Sequence, residues 1–396
     1  MLKRFFLPLL ALFVLATSSL SAAVKLNIKQ VGVNRLPIVL HDPNNPYAKF
    51  TYADGPLAYN STDGTLLIMG HPYGKLAVKV RPVNFNAAGG NPDVTKFNVA
   101  QLAGPWHDPT GGMAAKLGTE IGADFSVRGM AYHNNVLYMN LWQFYNVTNR
   151  DNPTLVVSSD KIYGAWKTGT INGLKTGRYI SAASDGSLWL GNTEAKTEGN
   201  WGPALYSWNN PDFSIPHNGT QNISPVMEWI WKKDGDKVFE WQPPAPDATF
   251  IYGYGNGFPR PPIEKFVPSN RVYSAVVVDD TEGNKQVVYV MHRAIGNKWY
   301  GGPRVTDGTT SLTNMNNTFG RGYIYEGMVT SLIIYPNIIA SNGLDRTYYE
   351  VSINHLLVRN RGTMTITADH KNRKLYMLEA DADWQMLCPV LHQFSY

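Results

Sequence analysis

His71, His292, Tyr73 and Tyr300 can move protons, and Arg128, Arg178, Arg271 and Arg293 can hold an anion. Trp142 and Trp299 add flat apolar faces. Together these residue types fit chemistry on an acidic sugar. A guanidinium pairs with a carboxylate or sulfate through two N–H groups, and an aromatic face covers a sugar ring. Once arginine neutralises a uronate, one side chain can abstract the C5 proton while another protonates the leaving oxygen, which is lyase chemistry in acid–base terms. His71 or His292 is the candidate base, and Tyr73 or Tyr300 the candidate acid. The competing reading makes each histidine a surface or structural group, the arginines ties between neighbouring elements, and Trp142 part of the packing.

Other motifs point to less. Gly253-Tyr-Gly-Asn-Gly257 is glycine-rich but lacks the strand–turn–helix setting of a phosphate cradle. No His/Cys spacing suggests zinc, and no Gly-x-Ser-x-Gly elbow is present. Asp279-Asp280 and the run from Glu379 to Asp383 offer oxygen ligands for a structural Ca²⁺, against a reading as turn acids. Glu194, Glu228 and Glu240 are available as carboxylates, but sequence pairs none of them. No metal or cofactor is expected to carry the chemistry. Cys388, the single cysteine, lies in an apolar run and reads as a core residue with no disulfide partner.

The candidate residues can meet only if the chain folds back repeatedly, and an internal repeat predicts that it does. Five segments share a small or apolar strand, a tight polar turn, and a strand opening on an apolar–aromatic pair. They are Gly55–Asn60 with Leu66–Met69, Arg128–Tyr132 with Leu137–Met139, Arg178–Ala183 with Leu188–Leu190, Arg271–Val276 with Val288–Val290, and Met364–Ala368 with Leu375–Met377. Between them stand Asp63-Gly64, Asn134-Asn135, Asp185-Gly186, Gly283-Asn284 and Asn372-Arg373, residues suited to positive φ in hairpin turns. Small residues in each first strand suit the crowded axis of a β-propeller.

Counted from residues 55, 128, 177, 271 and 364, successive repeats start 73, 49, 94 and 93 residues apart. Propeller blades take about 40 to 50 residues, so each of the two longest intervals fits two blades. Val226–Trp241 and Arg321–Ile339 are the candidates for the hidden ones. The expectation is an all-β, seven-bladed propeller; five or six blades with long insertions, or a β-sandwich, are the alternatives. Pro389–Tyr396 runs to the last residue and is expected to close the ring with the Lys25–Val39 segment, removing an exposed sheet edge. In such a ring, one face gathers the starts of the inner strands and the ends of the second strands. The candidate residues above fall on that face.

The first residues predict export. Lys3 and Arg4 precede an uncharged, largely apolar stretch from Phe5 to Ala16, and Ser21 and Ala23 form a small-x-small cleavage pattern. Residues 1–23 therefore read as a signal peptide, and 24–396 as a single propeller domain that is secreted or periplasmic. Without Lys3 and Arg4 the chain keeps 33 basic and 30 acidic residues, a formal charge of +3. That mild excess excludes the dense basic stripe of a nucleic-acid binder. No later segment reaches the roughly 18 apolar residues of a membrane helix, so membrane insertion is not expected. The expected partner is a polysaccharide or other glycan, met by a monomer.

The fragments Asn152-Pro-Thr-Leu-Val-Val-Ser, Trp201-Gly-Pro-Ala-Leu-Tyr-Ser-Trp208, Trp299-Tyr-Gly and Pro389-Val-Leu-His resemble those of a largely uncharacterised family of secreted bacterial propeller-type proteins. The resemblance runs in patches from about residue 128 to the C-terminus. It implies the fold and export, and it transfers no catalytic residue. At fold level alone, the architecture is also similar to propeller polysaccharide lyases and glycosidases. The functional expectation is action on an acidic polysaccharide, most concretely as a lyase. The alternative is a non-catalytic glycan- or protein-binding propeller at the cell surface.

Overall fold

A strand covered on both faces loses the apolar–polar alternation and becomes a continuous apolar run. Residues 66–69 and 287–291 follow that pattern, and every one of them is buried. The computed structural model describes residues 24–38, 44–51, 53, 55–86, 93–122, 124–143, 155–158, 162–168, 176–191, 200–230, 233–234, 237–238, 271–295, 298–299, 323–324, 327–336, 338, 349–358, 364–383 and 388–396. Among these residues the strands form five four-stranded antiparallel sheets and two short two-stranded ribbons.

Each large sheet is a propeller blade. From inner to outer strand, blade one is Leu57–Asn60, Thr65–Met69, Ala77–Arg81 and Gln101–Leu102. Blade two is Phe125–His133, Val136–Gln143, Leu155–Ser158 and Ile162–Trp166. Blade three is Tyr179–Ala182, Leu188–Gly191, Asn200–Trp208 and Ser224–Ile230. Blade four is Arg271–Asp279, Lys285–Ile295, Gly327–Tyr335 and Tyr349–Ser352. Blade five is Met364–Asp369, Lys374–Asp383, Cys388–Ser395 and, outermost, Lys29–Arg35. The five inner strands touch in cyclic order, one to two through five and back to one.

The core lies between blades rather than inside one central mass. Five apolar layers form, one at each blade-to-blade interface. Alternate residues of one strand feed two of them: Val287, Tyr289 and Met291 join the layer shared with blade three, while Val288 and Val290 join that shared with blade five. Small inner-strand residues let the blades converge. A Cβ on Gly129 would stand 2.6 Å from Ile180 N and 2.7 Å from Tyr179 Cα of the next blade.

The hairpin turns form where expected. Gly64, Asn134, Asn135, Gly186, Gly283 and Arg373 all take positive φ. Ring closure also occurs: the N-terminal strand pairs with the C-terminal one, Val33 opposite His392 and Arg35 opposite Val390. Cys388 is buried, and its thiol donates to Leu36 O at 3.0 Å.

The propeller class stands, but the blade number is corrected. The described residues make five blades, and within each of the two long intervals they make one. Gly327–Tyr335, inside the expected hidden blade at 321–339, is the third strand of blade four, where it pairs with Lys285–Ile295. Within 226–241, Ser224–Ile230 supplies the outer strand of blade three, and Lys233–Asp234 pairs with Lys237–Val238 as a ribbon. Apolar pattern locates strands but does not say which sheet receives them. Residues 1–23, expected to be a signal peptide, lie outside the described residues, and among those described no helix is long and apolar enough to cross a membrane.

Candidate functional site

The antiparallel order of each blade gives the ring two unlike faces. On the hairpin face lie the turns between inner and second strands. On the opposite, loop face the inner strands begin and the second strands end, and most of the sequence-derived candidates belong there.

Blade two brings three of them together. Its inner strand carries a β-bulge between Val127 and Gly129, so Arg128 is the inserted residue. A bulge re-aims a side chain, and the Arg128 guanidinium carbon lies 5.7 Å from the Trp142 ring centroid. Arg178, just ahead of the inner strand of blade three, places its own guanidinium carbon 3.9 Å from the same ring. Two cations thus share one indole at a blade junction. A guanidinium over an aromatic ring uses its face, and the N–H edge is the part that pairs with carboxylates. Trp142 therefore contacts both arginines across the junction.

Asn140 was not singled out by the sequence reading and helps build this arrangement. It is fully buried, and its Nδ2 donates to Thr176 O and Tyr179 O, both at 2.6 Å. Those bonds tie the chain on either side of Arg178 to blade two. Arg178 N donates to Gly191 O at 3.0 Å, which extends the pairing of blade three. The one available signal was an amide inside an otherwise apolar strand.

A second group stands where the second strand of blade one ends. His71 lies between two tyrosines, with ring centroids 5.1 Å from Tyr47 and 5.3 Å from Tyr73. Tyr73 is 78% exposed, and His71 is buried. Glycines make this loop possible: a Cβ on Gly70 would strike the Trp106 ring at 2.4 Å, and one on Gly74 would meet Tyr47 Cβ at 2.7 Å. His71 Nδ1 accepts the Tyr73 backbone N–H at 3.2 Å. In a neutral ring that leaves Nε2 carrying the proton.

Blade four places Arg271 opposite His292 in its first ladder, with Arg293 next to His292 along the strand. Trp299 sits in the Lys298–Trp299 ribbon, opposite Tyr323. Tyr300 lies outside the described residues.

Asp279 and Asp280, two of the acids considered for calcium, have other work. Asp280 is buried, its Oδ1 accepting the N–H groups of Glu282 and Asn284 and its Oδ2 that of Val24. Asp279 pairs with Lys285 at 3.2 Å. Among the described residues, no three His, Cys, Asp or Glu side chains gather as a metal site would require.

No family model and no curated protein matches the chain. Among solved structures it is similar to YCF48 bound to a D1 peptide, with TM-score 0.33 and 6% identity over 95% of this chain and 98% of that one. It is similar to a gluconolactonase from Xanthomonas campestris, with TM-score 0.30 and 9% identity over 94% and 97%. The endosialidase of phage phi92 follows with TM-score 0.22 and 9% identity, over 88% of this chain and 44% of that one. Likeness this weak carries no statement about chemistry; the order of strands and blades itself defines the propeller.

Proposed function

We propose that this is an exported carbohydrate-active protein that engages an acidic polysaccharide on the loop face of the propeller. The carrying observation is the pair of guanidiniums, Arg128 and Arg178, gathered over Trp142 at the junction of blades two and three. Two adjacent cations held by a ring and by a bulged strand suit a repeating carboxylate or sulfate. Recognition is the primary reading.

The finer reading is a lyase, favoured by the contact of His71 with Tyr73. In β-elimination a base removes the C5 proton, the C4–O bond breaks, a C4=C5 double bond forms, and the departing oxygen takes up a proton. With its proton on Nε2, His71 fits delivery of that last proton, and the exposed Tyr73, as a phenolate after its own proton has passed to solvent, fits abstraction of the C5 proton.

The deciding experiment incubates the protein with a panel of uronic-acid polysaccharides, following binding and the ultraviolet absorbance of an unsaturated uronate. Recognition predicts saturable binding that Arg178→Ala weakens by about tenfold, the scale of one charged hydrogen bond. New absorbance that His71→Ala abolishes supports the lyase. Binding without turnover leaves recognition alone, and no binding to any acidic glycan overturns both.

A further inference from the structure

The hairpin face holds a cavity that the reading above does not use. It sits on the propeller axis, has a volume of about 530 Å³, and takes wall residues from all five inner strands. Tyr59, Tyr132, Ser181, Val276 and Thr367 represent blades one to five in turn. Small-molecule sites span roughly 300–1,000 Å³, so the space suits one or two sugar units.

Its polar groups divide by what they lack. The acids near the rim are engaged: Asp369 by Asn372 and the Tyr59 hydroxyl, Asp63 by Lys79 and Thr65, and Asp279 by Lys285 and Ser184. Lys371 lines the cavity, is exposed, and among the described residues forms no ion pair. The mouth therefore carries a cation without a protein counter-charge. Tyr132 adds a hydroxyl with no hydrogen-bond partner among the described residues. Burial, helped by the charge of Asp63, pushes this phenol up to about 12, so it stays a neutral donor.

The third group is an imidazole. His370 Nε2 donates to Ala182 O at 2.7 Å, which leaves its Nδ1 lone pair buried and without a partner among the described residues. Burial holds the imidazole below its ordinary value and so favours the neutral ring. The Nδ1 nitrogen is closed to solvent, so the ring borders the cavity through its other atoms.

We propose that this axial cavity is a binding site for a small polyhydroxylated carboxylate, a sugar acid of one or two units. Its carboxylate takes Lys371 and the Tyr132 hydroxyl, and its hydroxyls face the small polar wall residues Ser61, Ser181 and Thr367. The site lies on the face opposite Arg128 and Arg178 and stands independently of the polysaccharide reading.

Titration calorimetry on the full chain tests it, with D-glucuronate and D-galacturonate as probes and D-glucose and acetate as controls. At least one uronate should bind, with glucose and acetate each weaker by about tenfold or more because each lacks one of the two required groups. Lys371→Ala and Tyr132→Phe should each weaken uronate binding about tenfold. Arg178→Ala should leave the binding component that Lys371→Ala removes, which separates this site from the loop face. No uronate binding, equal binding of glucose, survival of binding in both cavity variants, or loss with Arg178→Ala would each overturn the proposal.

Discussion

His392 and Glu379 meet at 2.9 Å between Nε2 and Oε2, with neither side chain exposed to solvent. The contact is the middle of a longer chain of bonds. Gln30 Nε2, from the N-terminal strand, donates to His392 Nδ1 at 2.8 Å, and Val358 N donates to Glu379 Oε2 at 2.9 Å. The network fastens the closing strand of blade five to the segment that follows blade four. Leaving a buried hydrogen-bonding group without its partner costs about 1–3 kcal/mol. Glu379→Ala should lower the unfolding free energy by that amount in a denaturant titration, and Glu379→Gln, which keeps an acceptor, by less. A loss within experimental error for Glu379→Ala would show that the network does not hold the closure.

Closure itself predicts a truncation phenotype. Pro389–Tyr396 belongs to the strand that pairs with Lys374–Asp383 on one side and Lys29–Arg35 on the other. Deleting these residues strips two ladders and opens two sheet edges. Soluble expression should be abolished, and a stable truncated protein would contradict the closure.

Gly129 should resist enlargement. Its missing Cβ faces backbone atoms of Tyr179 and Ile180, which cannot rotate away as a side-chain tip can. Gly129→Ala should cost about 1–3 kcal/mol, the range for overpacking, whereas Ala at Gly104, whose nearest neighbour would be 3.9 Å away, should be nearly neutral. Melting temperatures of the two variants compare them directly.

His370 should make stability depend on pH. Burial holds its folded pKa below the ordinary value of 6.5, against the smaller opposing pull of the Ala182 carbonyl and of Asp279 and Asp369. The unfolded chain therefore takes up the proton first, and stability is fully present above pH 6.5 and falls as pH drops below it. His370→Gln should flatten that part of a melting-temperature profile; an unchanged slope would assign it to another group.

Lys285 ties blade four to the turn of blade three. Its Nζ lies 2.9 Å from Asp185 Oδ2 and 3.2 Å from Asp279 Oδ1. Burial works to raise the Asp185 carboxyl, but Ser187 and Lys285 outweigh it and hold the group at about 2. Its folded pKa is depressed, so its contribution is present above 3.8 and lost as pH falls toward about 2. Lys285→Met should raise the Asp185 pKa, read by carboxyl NMR titration, and should destabilise the protein.

The sequence by itself determined the repeat. Five hairpins, the chemistry of their turns and the small residues of the inner strands are local properties, and each of the five predicted hairpins forms the inner pair of a blade. The ring-closing role of the last strand was also legible, because an apolar strand ending a chain needs a partner on each side. Tertiary structure decided the blade count, because Gly327–Tyr335 joins a sheet already begun, pairing with Lys285–Ile295 as its third strand, where sequence could assign it to a new blade. It also decided the site. Arg128 and Arg178 are fifty positions apart in sequence and meet at one indole only through a bulge and a blade junction. Asn140 and the His370 cavity left no periodic trace, since a side chain that bonds to another blade follows the geometry of that blade and not the pattern of its own strand.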